Sequence, residues 1–372
     1  MIRVLHVVHG MDCGGTENLI MNLYRHIDRD KVQFDFLVHT DSHCFFDDEI
    51  RSMGGNIYRA PYYRMFNYWE YKKHVHHLFE VNTQWNIVHG HLGSCACIYL
   101  KEANKFGLYT IAHSHAIKFR DVTIKQILYR WHAYLTRGVA DYYMACSKQA
   151  GIDRYGEEIT NGNSFSILNN AIDSVVYDFN WNTRTTIRKK LGIGNDTFVI
   201  GHIGRMSAEK NHLFILDILK EFLKTDNNVR LLLTGDGPLR DTIVRRAKDY
   251  DISKYITMTG VRNDVPQLLM GMDAFVFPSK NEGLGISLVE AQASGLPCLA
   301  SEEGIPKEAK VSDLVEFIPL SAGYSVWAVR LLELRKRNIR RIPMSNIIKD
   351  NNFDITETAH WLEAFYKNHS IF

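Results

Sequence analysis

The densest chemistry lies between Phe277 and Ser301. Glu282-Gly283-Leu284-Gly285-Ile286 follows an apolar run, and Glu290 stands further on, with seven residues between the two glutamates. Glycines lack a Cβ and let a ligand approach the backbone. A helix starting near Ile286 would aim the N–H groups of residues 284–287 at an anion such as a diphosphate. The spacing can direct Glu290 toward vicinal ribose hydroxyls and Glu282 toward a sugar. The plainer reading is a helix-capping Glu282 with a solvated Glu290.

A second stretch, Gly204-Arg205-Met206-Ser207-Ala208-Glu209-Lys210-Asn211, leaves another strand end. Arg205 offers a fork and Lys210 a point charge, which together can clamp phosphate. Gly14-Gly15-Thr16-Glu17 follows the first strand without the full dinucleotide spacing, so it reads as a close approach for phosphate or sugar, or as a plain turn. His89 and His91 flank Gly90, and His113 and His115 flank Ser114. These imidazoles suit hydrogen bonds to sugar hydroxyls, His113 above all. A metal held by several of them and simple burial are the alternatives. His74, His76 and His77 read as solvated on a polar helix.

Elements of an α/β protein must position these groups. Apolar runs at 2–8, 32–39, 56–59, 86–91, 108–113, 141–146 and 164–168 alternate with helix-like stretches such as 16–27 and 122–137. The pattern restarts with runs at 198–203, 229–234, 255–259, 274–278, 297–301 and 314–318. Continuous Val/Ile/Leu strands separated by helices predict parallel sheets covered on both faces. Two doubly wound domains of similar size follow, with the boundary near 170–180. Ligands then sit at the carboxyl ends of the strands, in a cleft between the domains. The segment 356–367 reads as a helix with Trp361, Leu362 and Phe365 at helical spacing.

The 372 residues are 45 % hydrophobic and 23 % charged, with a net charge of +2. That is a globular balance with no global claim on nucleic acid. No uncharged run reaches the length of a spanning helix, and the N-terminal apolar stretch is too short for a signal segment. The six cysteines are scattered without a CxxC pair and read as reduced thiols, with redox or metal chemistry at Cys95 and Cys97 a minor alternative.

Together these motifs resemble the retaining family-four glycosyltransferases of GT-B fold, and within them the enzymes of bacterial exopolysaccharide or capsule assembly. The resemblance runs over essentially the whole chain. Its most specific mark is the Glu282 and Glu290 pair with Gly283-Leu284-Gly285 and Glu290-Ala291-Gln292-Ala293-Ser294-Gly295-Leu296-Pro297. Leu168 and Ala171 depart from the family's interdomain Pro-Asn-Gly-Ile-Asp, which bears on loop shape.

The resemblance implies two Rossmann-like domains. Residues 1–174 would form the acceptor side and 175–354 would bind the nucleotide sugar. Residues 355–372 would be a helix crossing back to the first domain. It implies that Arg205 and Lys210 neutralise the diphosphate, that Glu290 holds the ribose, and that Glu282 with Gly283, Leu284, Gly285 and Ile286 holds the sugar. Val261 or Arg262 would read the base, a uridine's, through the backbone; Gly14 and Gly15 would form the first glycine loop; His113 would lie near the donor sugar. The implied reaction retains configuration, uses a UDP-linked hexose or N-acetylhexosamine, and needs no cofactor or divalent metal. Asp249-Tyr250-Asp251 looks like the metal motif of another fold but reads as a solvated helix end.

The acceptor side is suggested by two aromatic and basic regions, 59–73 and Lys118-Phe119-Arg120 with Lys125, Tyr129-Arg130-Trp131 and Arg137. They suit a saccharide or lipid-linked oligosaccharide met by a cytoplasmic protein at the inner face of the plasma membrane. An ordinary charged face is the alternative. Competing functions are a nucleotide-sugar epimerase or hydrolase, a non-catalytic sugar-binding assembly protein, and, more remotely, a nicotinamide oxidoreductase.

Overall fold

A computed structural model describes residues 1–12, 14–115, 134–337 and 339–370. Cys13, most of the expected helix 122–137, and Lys118, Phe119, Arg120, Lys125, Tyr129, Arg130 and Trp131 lie outside them. The chain divides into two compact units, Met1–Ile172 with Ile355–Phe372, and Asp173–Asp354.

The first unit is built on β1 (Ile2–Val7), β2 (Val32–Val38), β3 (Ile57–Arg59), β4 (Ile87–Gly90), β5 (Tyr109–Ser114), β6 (Tyr142–Ala145) and β7 (Phe165–Ile167). They form one parallel sheet in the order β3-β2-β1-β4-β5-β6-β7. Alternate residues of β1 serve opposite faces. Val4 joins Phe34, Phe36, Leu19, Ile20, Leu23 and Tyr24 in one core. Leu5 and Val7 join Leu37, Tyr71, Val75, Phe79 and Tyr99 in the other. The helix Gly15–His26 covers the first face.

The helix Ile355–His369 lies on that same face, burying Ile355, Ala359, Leu362, Phe365 and Tyr366. Ile355, Leu362 and Phe365 each contribute about 1.5–3 kcal/mol by leaving water. The packed stripe therefore runs 355–359–362–366. Trp361, from the triplet picked out in the sequence, is 41 % exposed and stacks on Phe365 at 5.4 Å.

The second unit carries β8 (Phe198–Ile203), β9 (Val229–Thr234), β10 (Ile256–Gly260), β11 (Ala274–Phe277), β12 (Cys298–Ser301) and β13 (Val315–Ile318). These too are parallel, in the order β10-β9-β8-β11-β12-β13. Each apolar run read from the sequence is a strand, with ends moved by a residue or so.

A buried guanidinium node fixes the start of β8 to the start of β11. Asp273 accepts from Arg184 at 2.5 Å, from Arg188, and from the Val199 amide at 2.7 Å. Arg188 also donates to the carbonyls of Gly271, Gly194, Asn195 and Thr197. Gln292 ties the helix Ile286–Ala293 to the segment before β13, donating to Leu288 and Ala309 and accepting from Val311 and Ser312.

Cys44, Cys95, Cys97, Cys146 and Cys298 are buried free thiols. Burial pushes Cys95 up to about 12, the opposite of an activated thiolate. No described helix is long and apolar enough to cross a membrane.

Candidate active site

In each sheet the order reverses once, at β1/β4 and at β8/β11, which is where open α/β sheets bind ligands. In the second unit the predicted residues leave the strand ends on the two sides of that switch point. Arg205 and Lys210 follow β8. Glu282, Gly283, Leu284, Gly285 and Ile286 follow β11.

The loop after β8 is braced on both sides. Gly204 donates to Thr234, and Met206 donates to Asp236 at 2.9 Å. Gly235 has φ +126, and a Cβ there would stand 2.2 Å from the Gly204 carbonyl oxygen, so only glycine admits this approach. On the other side, Lys280 donates to the Glu209 carbonyl at 2.7 Å. The loop after β8 and the segment that leads into the glycine turn are therefore joined through their backbones.

The turn itself needs its second glycine. Gly285 has φ +87 and caps the helix Ile286–Ala293 without any side-chain hydrogen bond to the first amides. A Cβ on it would meet Phe277 at 3.0 Å. The helix start therefore presents N–H groups with the positive end of the dipole behind them.

Charges converge here. Lys210 donates to both Glu282 oxygens, at 2.7 and 2.9 Å, and its ammonium lies 5.0 Å from the Phe277 ring centre. The pair links the two sides of the switch point. The Arg205 side chain is exposed and makes no hydrogen bond or ion pair among the described residues. Glu290 is partly buried and accepts the Tyr177 hydroxyl at 2.8 Å through Oε1. Burial pushes its carboxyl up to about 7, against the pull of Tyr177 and Lys210. Val261 is exposed, and Arg262 is engaged by Asp264 at 2.7 and 2.6 Å.

Asp249-Tyr250-Asp251 ends the helix Arg240–Asp249. Tyr250 donates to Asp217 at 2.7 Å, and both acids are exposed.

In the first unit, Gly14 and Gly15 open the helix Gly15–His26 beyond β1; Gly14 caps it with φ −98, which any residue adopts. His113 lies at the end of β5 and lines a cavity of about 90 Å³ with Gly90, His91, Ser114, His115 and Arg154. The histidines read from the sequence come together, and His6 joins them. His6 Nδ1 meets His91 Nε2 at 2.9 Å, His91 Nδ1 meets His115 Nε2 at 2.8 Å, and His89 Nε2 meets His113 Nδ1 at 3.2 Å. Burial drives all five far below the ordinary imidazole range, His6 and His115 to about 3, so they are neutral at physiological pH. His6, His89 and His91, or His91, His113 and His115, bring ring nitrogens within 4.8 Å, close enough for a metal.

Two partners escaped the sequence reading. Tyr177 sits on the short helical turn Ser174–Tyr177, in a segment with no motif to mark it. His6 looked like one more strand residue, although it shares the face of Val4 and stands beside His89 on the paired strand β4.

The sequence relatives agree with this architecture. Residues 183–314 match the family Glycosyl transferases group 1. EpsF of Bacillus subtilis (strain 168), which carries the name of a glycosyltransferase, is 32 % identical over 333 residues, 88 % of this chain and 86 % of that one. An Escherichia coli UDP-Gal:alpha-D-GlcNAc-diphosphoundecaprenol alpha-1,3-galactosyltransferase is 26 % identical over 226 residues, 59 % of this chain and 58 % of its own. Among solved structures, Anabaena HepE in complex with UDP superposes with a TM-score of 0.78 at 15 % identity, covering 99 % of this chain and 100 % of that one. WaaG, a glycosyltransferase involved in lipopolysaccharide biosynthesis, gives 0.70 at 17 % identity over 99 % and 98 %. With nearly a third of its residues shared with EpsF over most of both chains, this protein belongs to the group 1 glycosyl transferases and is a glycosyltransferase of GT-B fold.

Proposed function

We propose that the protein transfers a hexose or N-acetylhexosamine from a UDP-linked donor, with retention of configuration, to a saccharide carried on a lipid-linked oligosaccharide in exopolysaccharide or capsule synthesis. The observation that carries this reading is the junction after β11. There a glycine-capped helix start, the Lys210–Glu282 pair and Glu290 sit at the switch point with Arg205 on the joined loop. The UDP bound to HepE and the diphosphoundecaprenol acceptor of the Escherichia coli relative support the donor and acceptor classes.

The chemistry follows from charge. The glycosidic bond breaks and the departing nucleoside diphosphate gains negative charge. Arg205, Lys210 and the helix N–H groups stabilise that charge more in the transition state than before it. An ammonium has three N–H donors; two of Lys210's go to Glu282, which leaves one for phosphate. Glu290 keeps Oε2 for the ribose hydroxyls while Tyr177 fixes Oε1. Glu282 and the backbone of Gly283, Leu284, Gly285 and Ile286 hold the sugar, and the backbone at Val261 and Arg262 reads the base. In the first unit, Gly14 and Gly15 are assigned to phosphate or sugar approach, and His113 to donating a hydrogen bond to a sugar oxygen. The acceptor hydroxyl attacks the face that the diphosphate leaves, and its proton passes to the departing phosphate oxygen. No divalent metal or other cofactor enters.

The region 59–73 supports contact with the inner face of the plasma membrane. Tyr62, Phe66 and Trp69 are exposed at 56, 84 and 76 %. Arg64 lies over Tyr62 and Phe66, and Lys72 over Trp69. Exposed aromatic rings beside cations suit an anionic headgroup layer. Replacing Arg64, Lys72 and Lys73 with Gln should lower binding to anionic vesicles; unchanged binding excludes this surface.

The deciding experiment is a thermal-shift panel of nucleoside diphosphates and nucleotide sugars with and without EDTA. A ligand at 100 times its Kd stabilises by about 2.7 kcal/mol. The reading requires a shift with uridine nucleotides that EDTA leaves unchanged and that Arg205→Ala and Glu290→Ala abolish. No shift with any nucleotide would sink it.

A further inference from the structure

The histidines of the first unit are arranged as two chains. In one, His6, His91 and His115 run in sequence; their ring centres are 5.2 and 5.1 Å apart with N···N contacts of 2.9 and 2.8 Å. Such centre separations match a nitrogen–nitrogen contact lengthened by a ring radius at each end. The rings therefore meet edge to edge, with the hydrogen bond in the ring plane. In the other chain, the Tyr366 hydroxyl meets His89 Nδ1 at 2.6 Å, and His89 Nε2 meets His113 Nδ1 at 3.2 Å, the latter two with ring centres 5.3 Å apart. The chains lie against each other, with His89 4.4 Å from His91 and His113 4.0 Å from His115 between ring centres.

These spacings favour N–H···N bonds over a shared metal. Two imidazole nitrogens on one tetrahedral zinc, each about 2.0–2.1 Å from it, stand about 3.3 Å apart with both lone pairs turned to the ion. Here each contact is shorter, and the nitrogens face each other.

Neutral imidazole has one N–H and one lone pair, so the second chain has a direction. Tyr366 is fully buried, and His89 is its one hydrogen-bond partner among the described residues. If His89 Nδ1 donated, the phenol hydrogen would be left in the packed core without an acceptor, the costly case, whereas the opposite order ends on His113, which lines a cavity of about 90 Å³ roomy enough for a water or ligand oxygen to accept. The phenol therefore donates to Nδ1. His89 must then carry its proton on Nε2 and donate to His113 Nδ1. That puts the proton of His113 on Nε2, the nitrogen with no partner among the described residues.

We propose that Tyr366 and His89 form a proton-ordered relay that locks His113 as the Nε2–H tautomer, a fixed hydrogen-bond donor toward a ligand oxygen at the cavity it lines. Tyr366 and His89 are thus positioning residues acting through His113. The consequence for transfer rests on the assignment of His113 to the donor sugar, whereas the tautomer itself does not.

The test separates the two. Nitrogen-15 spectra of the histidine-labelled full chain report which ring nitrogen is protonated, with His113 assigned by loss of its signals in His113→Gln. The wild type should show His113 protonated at Nε2; protonation at Nδ1 overturns the relay without any variant. Tyr366→Phe keeps the ring and removes the donor, and should release His113 into a mixture of tautomers; an unchanged pure Nε2–H signal also overturns the relay. Cobalt or zinc retained at stoichiometric level after purification, with loss of the N–H signals, would overturn it in favour of the metal. If the tautomer changes and kcat/KM for the donor falls by about three- to tenfold, the size of one neutral hydrogen bond, both inferences stand. A changed tautomer with unchanged kcat/KM keeps the relay and removes His113 from the donor site.

Discussion

Glu290→Gln isolates one ionisation with a predictable sign. The carboxyl lies in a crowded site at the switch point, accepts Tyr177, and is pushed up to about 7 by burial from an ordinary 4.5. A folded carboxyl that holds its proton more tightly than the unfolded chain does contributes stability that is fully present below pH 4.5. That stability is lost as the pH rises through 7. The gap corresponds to about 2–3 kcal/mol once partial exposure is allowed for. Glutamine keeps an oxygen for the Tyr177 hydroxyl and has no proton to lose. The stability of the variant relative to the wild type should therefore climb by about 2–3 kcal/mol between pH 4.5 and pH 8. With a urea slope of about 2–3 kcal/mol per molar, that is about a 1 M relative shift in midpoint. The assay compares urea midpoints of both proteins at pH 4.5, 6, 7 and 8, so that the titration of all other groups cancels. Parallel midpoint curves would refute the argument that burial at this position outweighs Tyr177 and Lys210.

Other perturbations test separate parts of the structure. Gly285→Ala places a Cβ at φ +87 against Phe277, and should cost about 1–2 kcal/mol in urea midpoint. It should also weaken nucleotide binding in the thermal-shift assay. Asp273→Ala leaves Arg184 and Arg188 without their anion and the Val199 amide without an acceptor; a loss of about 3–5 kcal/mol in urea unfolding is expected. Lys210→Met strands Glu282, whereas Lys210→Met with Glu282→Gln restores stability. Both should lose donor affinity by calorimetry, which separates the fold's use of the pair from the ligand's.

Most strands were legible because they are buried on both faces, and such segments read as continuous apolar runs whatever the topology; the edge strands β3, β7 and β10 are half-buried. Glu282, Gly285 and Glu290 were legible because a strand–turn–helix junction is local: seven residues fix the geometry. What stayed hidden depends on long-range contact. Nothing near Tyr177 announces that it will meet Glu290, 113 positions away. Lys210 and Glu282 each stood out in the sequence, but their bond to each other follows from the adjacency of β8 and β11. Helical spacing grouped Trp361 with Leu362 and Phe365 but could not say which of them packs inward. The register of its helix against β1 and β2 instead turned Leu362 and Tyr366 inward. His6 and Tyr366 joined the other histidines through sheet order and helix docking, which no spacing in the chain expresses.

The helix Ile355–His369 also has a meaning for synthesis. Its buried face closes a core otherwise made from the first 172 residues, and its Tyr366 anchors one end of a histidine chain. On the ribosome these residues emerge only after the whole of Asp173–Asp354. That contiguous unit has all its own strands and can fold as they appear. The first unit, although translated earlier, carries beside the helix Gly15–His26 a strip over His89, Tyr109 and Tyr142 that stays uncovered until residue 366 is out. The order of completion is thus the reverse of the order of translation. The interval between them is when this chain most needs protection from aggregation.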